Sequence, residues 1–227
     1  ILEELADKVS QVENAEETIN NKREEIEIVS KKLDTIALII TKNRTKAIPN
    51  LTKELETLLA DLGMENARFS IKVKPITSYF TNGKDELSFL FSANKGGNFG
   101  ELKKVASGGE LSRIMLSVKK VLSANTQLPT IIFDEIDTGV SGEVSNKIAA
   151  IMQQMSKNMQ VIAITHLPQI AAKGNNHYKV FKKEIKGITT TNLKQLSTEE
   201  RVVEIAEMLS GKDISDSALT HAKELLN

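Results

Sequence analysis

Residues 130–144, TIIFDEIDTGVSGEV, decide how the rest of the sequence is read. The apolar run Thr130–Phe133 has the make-up of a buried strand. It delivers two adjacent carboxylates, Asp134 and Glu135, at its C-terminal end, the edge where open α/β sheets bind ligands. Asp134 is suited to hold Mg2+, directly or through a water, and Glu135 to polarise an attacking water. A strand that merely ends in a polar turn would look alike, so the pair needs company to carry chemistry.

That company lies on both sides. Downstream, Val161–Thr165 forms a second apolar strand that ends in His166. A lone histidine is more often structural, the reading kept for His177 and His221, but a strand end at the same sheet edge favours function for His166. Upstream, Ala106-Ser107-Gly108-Gly109-Glu110 leads into the helical run LSRIMLSVKKVL. The two glycines let backbone N–H groups approach an anion, and the helix start behind them carries partial positive charge. Ser107 adds a hydroxyl donor, although the same residues also read as a helix cap and a turn.

Helices are predicted at about 110–124 and 143–156, with a hairpin from runs 178–185 and 189–196, and two closing helices. Strands alternating with helices imply an α/β fold with a largely parallel sheet covered on both faces. Ahead of these, Phe69, Ile71 and Val73, then Leu87, Phe89 and Phe91, alternate with polar residues around an Asn82-Gly83 hairpin turn. The glycine-rich loop 94–100 has no Lys-Ser or Lys-Thr after its last glycine and reads as a connector; a P-loop pattern occurs nowhere.

The first third has a different period. From Leu2 an alternating 3-4 step runs through Leu5, Val9, Val12, Glu16, Ile19, Arg23, Ile26, Ser30, Leu33, Ala37, Ile40, Arg44 and Ala47. Ten of these fourteen positions are apolar, which keeps one stripe facing a partner helix in a left-handed coiled coil. The polar seam positions Glu16, Arg23, Ser30 and Arg44 would set register or partner choice. Pro49 predicts a bend or restart, and Gly63 a helix end, so residues 1–62 read as a coiled-coil arm and 63–227 as a globular lobe.

Composition narrows the classes. The absence of cysteine excludes a disulfide scaffold, a cysteine zinc cluster, an iron–sulfur site and a thiol nucleophile. Aromatics at 4%, with no Trp, argue against stacking platforms for single-stranded nucleic acid. No apolar run reaches membrane-spanning length. The chain starts at Ile1, already inside a helical pattern, and is expected to be a piece of a longer cytoplasmic protein, nucleoid-associated, with no membrane partner.

SGGE, then strand–Asp–Glu, then strand–His resembles the C-terminal half of an ABC-type ATPase head, and the preceding coil narrows this to the SMC-like branch. The strings VASGGELSRIMLSVK, FDEIDTGVSGEV and ITHLPQIAAKG, and the ending RVVEIAEMLSGKDISDSALTHAKELL, are similar to a bacterial DNA double-strand-break repair member of that branch. The resemblance covers about Phe91 to the C-terminus. It implies ATP sandwiched between two heads of a homodimer, with Ser107, Gly108 and Gly109 contacting the γ-phosphate bound to the partner head and Glu110 completing the signature. It further implies Asp134 as the Mg2+ residue, Glu135 as catalytic base, and His166 as the switch histidine on the γ-phosphate. Asp137, Thr138, Gly139, Ser141 and Gly142 match the D-loop lying across the dimer interface. The wider family has Asp where this chain has Ser141. Since the P-loop and Q-loop are missing, the resemblance implies a partner N-terminal lobe, and the chain alone is expected neither to bind ATP tightly nor to hydrolyse it. DNA is the expected ligand of the intact protein. A chromosome-organising SMC-like protein and a non-hydrolysing coiled-coil interaction module are the alternatives; the intact Asp134-Glu135 pair weighs against the second.

Charge supports a nucleic-acid role only when divided by segment. The chain is neutral overall, with 30 basic and 30 acidic residues. Residues 1–62 hold 9 basic and 13 acidic side chains, residues 63–197 hold 18 and 10, and residues 198–227 hold 3 and 7. A basic lobe flanked by acidic segments suits phosphate ligands, whether ATP or a DNA backbone.

Overall fold

The fold was described from a computed structural model. It covers all residues except Ile1, Gln127, Glu135, Thr138, Ser141, Lys186 and Gly187, and the backbone alone of residues 2–13, Asn125, Ile185 and Ile188. The chain opens with one helix, α1 (Leu2–Asp61), ended by Gly63 at φ +77°. The predicted restart at Pro49 does not occur: the helix runs through it. An interior proline costs a helix about 3 kcal/mol. The three leucines Leu55, Leu59 and Leu62 just beyond are fully or nearly fully buried, and each recovers roughly 1.5–3 kcal/mol.

After α1 come β1 (Arg68–Phe80), β2 (Gly83–Ser92), β3 (Gly100–Glu101), α2 (Leu102–Val105) and α3 (Gly108–Asn125). Then follow β4 (Thr130–Asp134), α4 (Gly142–Met155), β5 (Gln160–Ile164) and α5 (Pro168–Ala172). The chain closes with β6 (Tyr178–Ile185), β7 (Ile188–Gln195), α6 (Thr198–Ser210) and α7 (Asp216–Leu226). By internal packing it divides into two units, residues 1–51 with 71–89, and residues 52–70 with 90–227.

In the first unit the β1–β2 hairpin packs on α1 through two polar clusters. Asp85 is buried and accepts from Thr41 Oγ1 (2.7 Å) and Arg44 Nη1 (2.9 Å), while Arg44 Nη2 donates to the Asn82 carbonyl (2.7 Å). The Thr41 hydroxyl first, then the guanidinium, hold the Asp85 carboxyl below its usual range against the opposing effect of burial. Asp34 accepts from Tyr79 and Lys84, both at 2.7 Å, and the Lys84 ammonium lies 4.4 Å from the Tyr79 ring centre. The polar seam positions Ser30 and Arg44 are thus engaged within the chain, Ser30 through its carbonyl to Tyr79. Ile19, Ile26 and Leu33 on the same seam remain exposed.

In the second unit the central pair is β4–β5, parallel and in register from Thr130↔Gln160 to Asp134↔Ile164. α4 buries Ile148, Ile151, Met152 and Met155 in a core shared with Phe133, Leu116 and Leu62. A smaller cluster joins Ala172 to Ile205, Ala206, Ala218 and Ala222. Among the described residues parallel pairing is confined to β4–β5; β2–β3 and β6–β7 are antiparallel. One face of the parallel pair is also open. Ile132 is 62% exposed, and Ile162 and Ile164 are exposed beside it. A parallel pair is normally covered on both faces, so two strands supply too little of the sheet to bury this side.

Candidate functional site

The chemistry-bearing residues collect where β4 and β5 end. The parallel register sets Asp134 opposite Ile164, so His166 follows two residues beyond the same edge. Asp134 is exposed at the strand terminus. As an exposed carboxylate it fits Mg2+, which is commonly held by one or two carboxylates together with substrate phosphates. Among the described residues no group of three or more His, Asp or Glu gathers into a metal cluster of its own. Glu135, Thr138 and Ser141 lie outside the described residues.

The turn after β4 is built inward. Asp137 is 1% exposed, and its Oδ2 accepts from the Thr165 hydroxyl and from the His166 backbone N–H at 3.3 Å. Thr165 Oγ1 in turn accepts from the Leu167 N–H at 3.0 Å. The His166 ring leaves this anchor for solvent: its side chain is 72% exposed, with Nδ1 3.6 Å from Asp137 Oδ2. That distance is beyond a hydrogen bond but within reach of an ion pair. Gly139 sits at φ +72°, a conformation other L-residues rarely adopt, and Gly142 opens α4.

Ser107 caps α3 rather than standing free. Its hydroxyl accepts from the Glu110 N–H at 3.4 Å, and Glu110 Oε2 accepts from the Ser107 N–H at 2.7 Å, a reciprocal capping box. A Cβ added at Gly108 would meet nothing within 4 Å, so packing within the chain does not require glycine there.

Of the other histidines, His177 is half-buried, and burial first, then the nearby Arg201 charge, hold its imidazole below the usual value. That disfavours the charged imidazole and suits packing. The sequence did not reveal the Asp137–Thr165 contact. Its signal, an Asp after an isoleucine that is itself buried, is legible only once β4 and β5 are known to be neighbours.

Comparison with known proteins bears on the chain as a whole. The chain is 37% identical, over 98% of its length, to "DNA repair protein RecN" of Bacillus subtilis (strain 168). It is 41% identical over 85% of its length to the RecN of Rickettsia typhi, and 35% identical over 98% to that of Deinococcus radiodurans. The chain belongs with the RecN family over the length it shares with them. It spans 41%, 35% and 39% of those three RecN proteins. No protein-family model matches. Among solved structures, the Smc head domain with a coiled coil and joint from Pyrococcus yayanosii superposes with a TM-score of 0.56. It does so at 18% identity, over 85% of this chain and 36% of that one. An Smc head with an extended coiled coil from Pyrococcus furiosus gives 0.55 at 17% identity, over 85% of this chain and 47% of that one. At such identities the likeness concerns fold alone, and it gives the RecN-related chain the fold of part of an SMC head with coiled coil.

Proposed function

We propose that the chain is the C-terminal part of an SMC-like ATPase that binds DNA and acts in double-strand-break repair, with residues 1–62 as its coiled-coil arm and 63–227 as the lobe of the head. The observation that carries this reading is the β4–β5 register, which brings Asp134 and His166 to one sheet edge. Asp134 would hold Mg2+, which when bound neutralises phosphate charge. Glu135 orients the attacking water, and His166 reaches the γ-phosphate. Such a reaction proceeds by positioning and charge stabilisation rather than covalent chemistry. Ser107, Gly108 and Gly109 present N–H and hydroxyl donors to the nucleotide on a second copy, and Glu110 fixes their geometry. The exposed Ile132, Ile162 and Ile164 support an N-terminal lobe that completes the sheet and brings the P-loop. The RecN relatives favour repair over chromosome organisation, and an exposed, undegraded Asp134 end favours turnover over a purely interacting module.

The test is Glu135→Gln in the full-length protein. It should retain ATP and accumulate as a head dimer while turnover falls by roughly 100-fold or more, as measured by phosphate release. Unimpaired turnover would remove Glu135 from the reaction. Measured beside it, the isolated chain should show no Glu135-dependent hydrolysis.

A further inference from the structure

We propose that Asp137 is a positioning residue for His166: its carboxylate clamps the start of the β4–α4 turn to the end of β5 and thereby fixes where the histidine ring points. This rests on the ATPase reading above but assigns Asp137 a different task from a loop residue lying across a dimer interface. The side chain is fully buried within its own chain. A single oxygen, Oδ2, takes both the Thr165 hydroxyl and the His166 N–H, so the strand terminus and the turn share one acceptor. Thr165 passes the constraint on by accepting from Leu167 N–H, leaving the peptide on each side of His166 tied. The ring itself makes no hydrogen bond to this anchor; its side chain is 72% exposed, with Nδ1 3.6 Å from the carboxylate.

A loop staple alone does not call for a carboxylate. Burying an ionised group carries a desolvation penalty of several kcal/mol. Asp137 Oδ1 has no hydrogen-bond partner among the described residues. A threonine or asparagine would tie the same backbone with less charge to desolvate. Negative charge 3.6 Å from an imidazole nitrogen adds what those side chains lack: an electrostatic preference for the ring orientation with Nδ1 inward.

The test is a double-mutant cycle in the full-length protein, reading kcat and KM for ATP. Asp137→Ala should lower kcat by roughly 10- to 100-fold, the scale of a small misplacement of a reacting group, with KM changed less than about twofold. Asp137→Asn, which keeps the acceptor and loses the charge, should recover part of that loss. In a His166→Ala background the further substitution of Asp137 should change kcat by less than about twofold, because the residue acts through the ring. Equal kcat losses from Asp137→Ala with and without His166, or a loss confined to KM, would overturn the proposal. Where Asp137→Ala does not fold, Thr165→Val removes the same clamp from the other side; it should lower kcat without adding to Asp137→Asn, and full additivity would overturn the proposal equally. A His166→Ala protein with unimpaired turnover would instead refute the assignment of His166, and with it the ATPase reading of this edge.

Discussion

Among the described residues the same capping device occurs twice, and only one copy sits at the proposed site. At α3, Ser107 and Glu110 exchange bonds of 3.4 and 2.7 Å; at α6, Ser197 and Glu200 exchange bonds of 3.3 and 3.1 Å. Hydrogen-bond geometry therefore does not separate them. The residues between do: Gly108 and Gly109 in the first, Thr198 and Glu199 in the second. At α6 the cap is crowded with charge, since Glu199 accepts from the Ser197 hydroxyl and Lys194 pairs with Glu200. At α3 nothing stands over Gly108. An S-x-x-E box starts a helix in both places, and the missing side chains leave one helix start open.

Making the first box resemble the second gives the largest expected effect. Gly108→Glu in the full-length protein should lower ATP turnover by about 100-fold or more, by placing charge and bulk where the proposed function brings a phosphate. The thermal midpoint should not fall, because glutamate favours a helix N-terminus over glycine. Thr198→Gly with Glu199→Gly, the reverse change at α6, should leave turnover unaltered; a comparable loss there would show that both boxes serve only folding. Next in size, Ser107→Ala and Ser197→Ala should each cost about 1 kcal/mol of stability, seen in denaturant titration, because each loses an N-cap. Only Ser107→Ala should also reduce turnover, by roughly 10-fold on the scale of one lost donor to a developing charge.

The smallest effect is one of pH at α6. Lys194 first, then the Ser197 N–H, hold the folded Glu200 carboxyl below its ordinary value of 4.5. The folded state then binds fewer protons than the unfolded one. Its contribution is fully present above the unfolded value and is lost as pH falls through the lowered folded value. Acid titration of helix content should therefore show α6 loosening below the ordinary glutamate range, and Glu200→Gln should flatten that dependence. An unchanged acid limb would show that the Lys194 pair contributes nothing in solution.

Much of the second unit was legible because its signals are local. β4, β5, α3 and α4 fall within a residue or two of their sequence reading, since apolar runs, the SGGE cap and Gly63 each act on their own neighbourhood. Pro49 was misjudged because the factors that outweigh it, the buried Leu55 and Leu59, lie further along the helix. Arg44 and Ser30 read as seam residues of a coil because nothing in their vicinity announces Asp85 or Tyr79, some forty or more positions away. β1 runs on to Phe80, well past the alternation at Phe69–Val73; its last four residues are exposed, and the Tyr79 hydroxyl bonds Asp34 on α1. At the site, Asp134 and His166 were found from strand ends, whereas the inward turn of Asp137 required the parallel pairing that brings Thr165 beside it.

The phenol of Tyr79 has an optical consequence. The sequence holds two tyrosines and no tryptophan, so the tyrosine emission of this chain comes from Tyr79 and Tyr178 alone. Tyr178 is exposed on β6, while the Tyr79 hydroxyl donates to Asp34 under the Lys84 ammonium. That hydrogen bond pushes the ionisation of Tyr79 up, above an ordinary phenol. With Tyr178 replaced by phenylalanine, the docking of hairpin on helix becomes a signal intrinsic to the molecule, readable without any attached dye.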